Sequence, residues 1–309
     1  MSFSPSKRTK ALAILAIGFL SLTGCTNASQ TPGGAAPGST GFDPASVARD
    51  DALAASVPEA IRSKGTLTVG ADTTYAPAES LGGADGQTPV GYNVDFAKAI
   101  GATLGLKVRV QTSEFTGILP ALGAKYDLGI SSFTINAERL KAVNMVSYFN
   151  AGTLWAVQTG NPKNFSVDDI CGKTVGVQTG TTQEAPDVSA RSKACTDAGK
   201  PGVSVVTLKT QTDVTTRLVN GSIDAMAADS PIIGYALSQT GGKLEALGDV
   251  YAAAPQGIAV AKSDTALSEL MKNVMNKLIS DGTYGKILDT WSNTKGAVTK
   301  SEVNPAVGN

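Results

Sequence analysis

The chain has 309 residues, 42% hydrophobic and 17% charged, with 34 glycines, a globular composition long enough for two lobes or domains. Lysine plus arginine equals aspartate plus glutamate at 26 each, so nothing favours a nucleic-acid partner. Histidine is absent, which removes Ser-His-Asp and Cys-His nucleophile systems and histidine metal sites. No metal or cofactor is expected, and an enzyme here would have to work with carboxylates, lysine or tyrosine.

Residues 1–24 read as a targeting signal. Lys7, Arg8 and Lys10 form a basic region, and Ala11–Leu22 is an apolar run too short for a settled membrane span. The run ends in Leu22-Thr23-Gly24-Cys25, which looks like a bacterial lipobox. That likeness implies cleavage before Cys25, a lipid on its sulfur, and a place on the extracytoplasmic face of a bacterial membrane. The alternative is an ordinary signal peptide with an incidental cysteine. Thr26–Phe42 carries no charge and is rich in Gly, Pro, Ala, Ser and Thr, so it buries too little to offset its ordering entropy. Residues 25–57 are therefore expected to be a lipidated cysteine and its flexible tether. Cys171 and Cys195 remain, and an exported pair is expected to be bridged rather than left as two buried thiols.

The body alternates strands and helices. Leu67–Ala71 is a short apolar strand, and Val94–Leu104 a helix with Phe96, Ile100 and Leu104 along one face. Val108–Val110 returns as a strand. Phe115, Ile118, Leu119 and Leu122 follow the spacing of a helical stripe, and Leu128–Ile130 is a strand. After Ser166 the order repeats: strand Thr174–Val177, helix from about Gln183, strand Val203–Thr207, helix Asp213–Val219, strand Ile223–Ala227. Leu267, Leu270, Met271, Val274 and Leu278 mark a long amphipathic helix stopped by Gly282.

Local sequences repeat as well. "TVGADTT" (68–74) is similar to "TVGVQTGTT" (174–182), and "LGAKYDLGISS" (122–132) to "LVNGSIDAMAADS" (218–230). The simplest expectation is two α/β lobes of similar plan, a first lobe over 58–153 and 257–297, a second over 154–256, and a C-terminal tail over 298–309. Crossings are expected near Gly152–Val157 and Pro255–Val260. Ligands in such sheets sit outside the carboxyl ends of the strands, so the polar loops would face one cleft between the lobes.

The loops can hold a zwitterion. Strand, glycine, hydroxyl loop and helix, as in Thr179-Gly180-Thr181-Thr182, suit a small anion on free N–H groups. The loop after Ile130 offers Ser131, Ser132 and Thr134, then Arg139, whose planar fork matches a carboxylate. The loop after Ala227 ends in Asp229-Ser230, an acceptor for a cation. Tyr75 and Phe115 can flank a ligand side chain, and Asp72 can meet its polar end. Plainer roles stay open. Arg139 can be a solvated helix residue, Asp229 an N-cap for a helix starting near Pro231, Phe115 core, and Thr181-Thr182 a helix cap.

From Gly65 to about Ser292 the chain resembles the amino-acid-binding branch of the bacterial solute-binding proteins that feed ABC importers. The matching motifs are "ADTTYAPAES", "GYNVDFAKAIG", "DLGISSFTINAER", "GKTVGVQTGTTQE", "GSIDAMAADSP" and "DGTYGKILDTW". The resemblance implies two α/β lobes joined by two crossover strands and closing on ligand. It implies that Arg139 grips an α-carboxylate with the N–H groups of Thr134 and Thr182, that Asp229 takes the ammonium with Ser132 nearby, and that Asp72, Tyr75, Phe115 and Gln183 meet the side chain. It also implies a monomer that hydrolyses nothing and delivers a polar or cationic L-amino acid to a permease and its ATPase. Many relatives have an aromatic where Ala78 stands, which leaves side-chain specificity open. The competing expectations are a cyclohexadienyl-dehydratase-like lyase, with Glu79 or Glu184 as its acid, and a sensory binding protein.

Overall fold

The computed structural model describes residues 42–307. The expected signal segment, Cys25 and the tether up to residue 41 lie outside the described residues. Asp50 accepts the Leu53 N–H at 3.0 Å and so starts helix α1 (Asp51–Ala55), which is followed by α2 (Glu59–Lys64). Ala54, Val57 and Ile61 are buried, with α1 packed on a later helix. The boundary expected at residue 58 is corrected accordingly, because these apolar residues find a surface to cover.

Strand β1 (Thr66–Ala71) leads into a small antiparallel ribbon of β2 (Thr74–Tyr75), β3 (Glu79–Gly82) and β4 (Thr88–Val90). Helix α3 (Tyr92–Leu104) follows Gly91, whose φ is 133° and where a Cβ would lie 2.2 Å from the Ala78 carbonyl oxygen. Only glycine lets the ribbon and the helix start approach so closely. After β5 (Lys107–Thr112) comes α4 (Phe115–Ile118), a single turn passing into a short 3-10 segment, Leu119–Ala121. The expected helical stripe to Leu122 thus breaks early, since Pro120 has no N–H to continue it. Strand β6 (Leu128–Thr134), helix α5 (Ala137–Ala142) and the long strand β7 (Val143–Gln158) complete this half.

The second half repeats the plan with β8 (Thr174–Gln178), α6 (Ser189–Asp197), β9 (Ser204–Leu208), α7 (Gln211–Val219), β10 (Ala225–Asp229) and α8 (Ser230–Gln239). The helix expected from Gln183 is a kinked turn over Gln183–Val188. Ala185 is extended at φ −145°, ψ 129°, because Pro186 drives its predecessor out of the helical region. Strand β11 (Leu244–Ala261) then returns to the first half, and α9 (Thr265–Ser280) and α10 (Thr283–Thr290) pack against α3.

All the long strands share one sheet in the order β5-β1-β6-β11-β7-β10-β8-β9. The outer trios are parallel, and β7 and β11 run antiparallel between them through both lobes. The crossing falls at residues 150–152 of β7 and 251–255 of β11. The expected segments begin within these crossings, at Gly152 and Pro255, and run on into paired strand: 153–156 pair with β10, and 257–260 with β6 or β7. Gly152 sits within the crossing, where a Cβ would lie 2.6 Å from the Tyr251 carbonyl oxygen.

The first lobe's core is aromatic. Phe96 stacks on Tyr284 at 5.3 Å and meets Tyr148 edge-on at 5.7 Å. The Trp291 indole donates to Asp95 at 2.8 Å, tying α10's end to α3. The C-terminal segment docks instead of trailing away: Ser147 N–H donates to Glu302 O at 2.9 Å and Asn304 N–H to Met145 O at 2.7 Å. Cys171 and Cys195 are bridged, with Cα atoms 5.5 Å apart, linking the approach to β8 with α6. Replacing both by serine should lower unfolding stability by about 3 kcal/mol with the fold retained. A denaturant midpoint equal to that of the native protein would show that the bridge contributes nothing.

Candidate ligand site

The carboxyl ends of β1, β6, β8 and β10 converge on one place. Asp72 follows β1, and Tyr75 lies on β2 beyond it. Strand β6 turns at Ser132, where φ is 53°, and ends at Thr134. Asn136 accepts the Arg139 N–H at 2.8 Å, capping α5 and setting Arg139 in its first turn. Gln178 ends β8, and Thr181 and Thr182 follow Gly180. Asp229 ends β10. Tyr75, Phe115, Ser132, Thr134, Arg139, Gln178, Thr181, Thr182, Gln183 and Asp229 line a tight cavity of about 10 Å³.

The plainer alternatives for these residues separate here. Arg139 is not a solvated surface residue. It is half-buried, donates to the Thr134 carbonyl at 2.9 Å and the Gly180 carbonyl at 3.1 Å, and lies over the Phe115 and Phe133 rings at 5.4 and 5.5 Å. Asp229 occupies the N-cap position of α8, yet its side chain makes no cap bond. Its oxygens accept instead from Gln183 at 3.0 Å and Gln256 at 2.8 Å, while its own N–H donates to the Tyr75 hydroxyl at 3.3 Å. Thr181 does the capping: its hydroxyl accepts the Glu184 N–H at 3.3 Å. That leaves the Thr182 hydroxyl at the cavity, 3.5 Å from that of Thr134. Phe115 serves core and cavity together, stacked on Phe133 at 4.7 Å.

Burial dominates the electrostatics. It pushes the Asp229 carboxyl up to about 6, against the pull of its Gln183 bond, Tyr75, Arg139 and Gln256. It draws the Arg139 guanidinium down to about 10, so arginine stays charged at neutral pH. Asp72 is also raised by burial, offset by bonds from Thr74 and Gln178. Among the described residues neither Arg139 nor Asp229 forms a salt bridge with another side chain.

The cavity brings together every residue expected from sequence except Asp72. Asp72 lies behind the wall, where its carboxylate accepts from the Thr74 hydroxyl at 2.8 Å and the Gln178 amide at 2.6 Å. Gln178 was not foreseen, nor was Gln256 as a support for Asp229, while Thr181 belongs to the loop expected to hold an anion. The available signal was a polar side chain directly closing an apolar strand run at Gln178, and one interrupting an apolar run at Gln256. Of the two candidate acids, Glu184 braces the glycine loop by accepting the Gly180 N–H at 2.5 Å. Glu79 is sealed beneath the cavity, and neither lines it.

A cleft of this construction, between two α/β lobes joined by paired crossover strands, defines a solute-binding architecture. Residues 67–294 match the model of the bacterial extracellular solute-binding proteins, family 3, and the chain belongs to that family. The arginine-binding protein ArgT of Corynebacterium glutamicum is 34% identical over 253 residues, covering 82% of each chain. A solved ancestral arginine-binding protein bound to arginine superposes with a TM-score of 0.67 at 35% identity, over 74% of this chain and 98% of that one. The ancestral amino acid-binding protein AncCDT-1, described as a precursor of cyclohexadienyl dehydratase, gives 0.66 at 30% identity, over 75% and 98%. Relatives in this set are amino-acid-binding proteins, those of ABC transporters among them.

The Asp229 carboxyl makes the stability of the protein without ligand depend on pH. Its folded value, about 6, lies above the ordinary 3.8, so its contribution is fully present below about pH 4 and is lost as pH rises through 6. The expected loss is roughly 3 kcal/mol. Asp229→Asn should flatten that part of the profile in a denaturant titration across this range. An unchanged slope would place the titrating group elsewhere.

Proposed function

We propose that the protein is the lipid-anchored substrate-binding component of an amino-acid ABC importer and takes a polar or cationic L-amino acid in the interlobe cavity. One observation carries the reading. A guanidinium and a carboxylate face the same small cavity, and neither is neutralised by a salt bridge among the described residues. An α-amino acid carries the complementary pair. In this reading Arg139 receives the α-carboxylate, with backbone N–H groups at Thr134 and Thr182. Asp229 receives the ammonium, with Ser132 beside it. The ligand side chain passes between Tyr75 and Phe115 toward Gln178 and Asp72. A cationic end group would exchange the Gln178 amide for a charge on Asp72, an attraction strengthened by the low dielectric of a closed cleft. The arginine-binding proteins among the relatives support the same choice.

The chain is read as a binding protein and not a lyase, since Glu184 is engaged in bracing a loop and Glu79 does not reach the cavity. The permease and ATPase are then separate partners. A lipid on Cys25 is supported by the sequence Leu22–Cys25, and no described helix is long and apolar enough to cross a membrane.

Calorimetry should find L-arginine bound more tightly than glutamine, and glutamate weakest, because its second carboxylate would face Asp72. Arg139→Ala should weaken every ligand by about 3 kcal/mol or more, whereas Asp72→Asn should cost the cationic ligand about 2 kcal/mol and glutamine much less. Tightest binding of glutamate would overturn the side-chain assignment, and an Arg139→Ala variant with native affinity would overturn the zwitterion model. For the anchor, mass spectrometry of the membrane-fraction protein should find a mature N-terminus at Cys25 carrying a lipid on its sulfur. An unmodified Cys25 there would argue against lipidation at that cysteine.

A further inference from the structure

Beneath the cavity lies a second polar cluster that the ligand contacts above do not use. Glu79, the first residue of β3, is 0% exposed. Its Oε1 accepts the Ser131 hydroxyl at 2.7 Å, and its Oε2 accepts the Asn93 amide at 2.6 Å. Ser131 Oγ in turn accepts the backbone N–H of Asp72 at 2.9 Å, and Asn93 also donates to Ser132 Oγ at 3.1 Å. No lysine or arginine among the described residues pairs with Glu79. The oxygen of the buried Asn93 amide has no hydrogen-bond partner among the described residues.

We propose that Glu79 is a positioning residue for ligand recognition, holding the turn at Asp72 through Ser131 and the turn at Ser132 through Asn93, so that one buried side chain sets two parts of the site. The inference rests on the amino-acid-binding reading of the cavity. Asp72 stands just past the end of β1, and Ser132 lies within β6 where its pairing with β11 is interrupted between Gly129 and Phe133, so strand pairing does not dictate their conformation there. Ser132 adopts φ 53°, a left-handed conformation unfavourable for a non-glycine residue that needs surrounding bonds to hold it.

The cluster works with Glu79 uncharged. Burial pushes its carboxyl well above the usual range, outweighing the Ser131 and Asn93 bonds, and Asp72 and Asp229 push in the same direction. Tyr92 and Tyr148 are the other titratable groups beside it, both raised by burial and neutral. A protonated Glu79 needs an acceptor, and the Asn93 amide supplies one when turned end for end, its oxygen then accepting from both the Glu79 carboxyl and the Ser132 hydroxyl. The site's charge then comes from Arg139, Asp229 and Asp72 alone. A glutamine at position 79 can make the same bonds, since its amide donates to Asn93 and its oxygen accepts from Ser131.

The test is calorimetric titration of L-arginine into the native protein, Glu79→Gln, Glu79→Ala, Ser131→Ala and the Glu79→Ala/Ser131→Ala double variant, with thermal melting to establish folding. Glu79→Gln should bind within about threefold of native, while Glu79→Ala and Ser131→Ala should each weaken binding about tenfold or more. The double variant should be no weaker than its worse parent, because both act along one path to Asp72. A folded Glu79→Ala with native affinity would overturn the inference. So would a Glu79→Gln as weak as Glu79→Ala, since charge and not position would then be at work. Ser131→Ala removes a single hydroxyl and decides the matter if Glu79→Ala does not fold: native affinity there also overturns it. A native protein that binds no amino acid would instead overturn the reading of the cavity, and this inference with it.

Discussion

A carboxylate buried as deeply as Asp229 must be surrounded by donors or give up its charge, and much of the cleft is arranged around that requirement. Its donors come from separate parts of the chain. Gln183 lies on the kinked turn after β8, and Gln256 lies on β11 just past the crossing. The Gln183 amide also reaches the Thr153 hydroxyl on β7, on the other side of the crossing. Both connecting strands therefore contribute to the environment of a single acid. Asp229 is met by neutral amides and forms no salt bridge among the described residues, so a cation bound beside it would supply the charge they lack.

Arg139 is held by different means. Two carbonyls from opposite lobes and two aromatic rings fix its plane, and none of them cancels its charge. Further bonds bridge the lobes near the cavity. Gln178 donates to Asp72 at 2.6 Å, and the Gln211 N–H and Thr212 hydroxyl meet Thr74, both at 3.3 Å. The Lys209–Glu114 pair also crosses, but both side chains are largely exposed, so it contributes about 0–1 kcal/mol. The buried bonds between the lobes count for more, and several involve residues that line the cavity.

Much of the architecture was legible because apolar strand runs and helix stripes repeat with their own periods. Short runs such as Thr174–Val177 became interior strands, and Leu267–Leu278 became the buried stripe of α9. The misreadings have local causes. Pro120 ends a helix whose stripe continues past it, and Pro186 delays α6 to Ser189. The tether read from the composition of Thr26–Phe42 was carried on to residue 57, because the few apolar side chains of 51–57 show their value only against α3. The expected crossings start within the observed ones, at Gly152 and Pro255, but extend too far, since ladder pairing already claims the residues that follow.

The sequence by itself determined the lobe plan, the absence of histidine chemistry, and the presence of hydroxyls, an arginine and an aspartate at the carboxyl ends of strands. Those are properties of residue type and short-range order. Only the tertiary structure decided which plain role each residue escaped. Thr181 took the helix cap and left Thr182 at the cavity, Asp229 stood at a cap position without capping, and Asp72 withdrew behind Gln178. Asp72 and Gln178 are separated by 106 positions, and no local rule links them. Their meeting follows from two lobes brought face to face, where burial raises the cost of an unpaired polar group and so selects the partner.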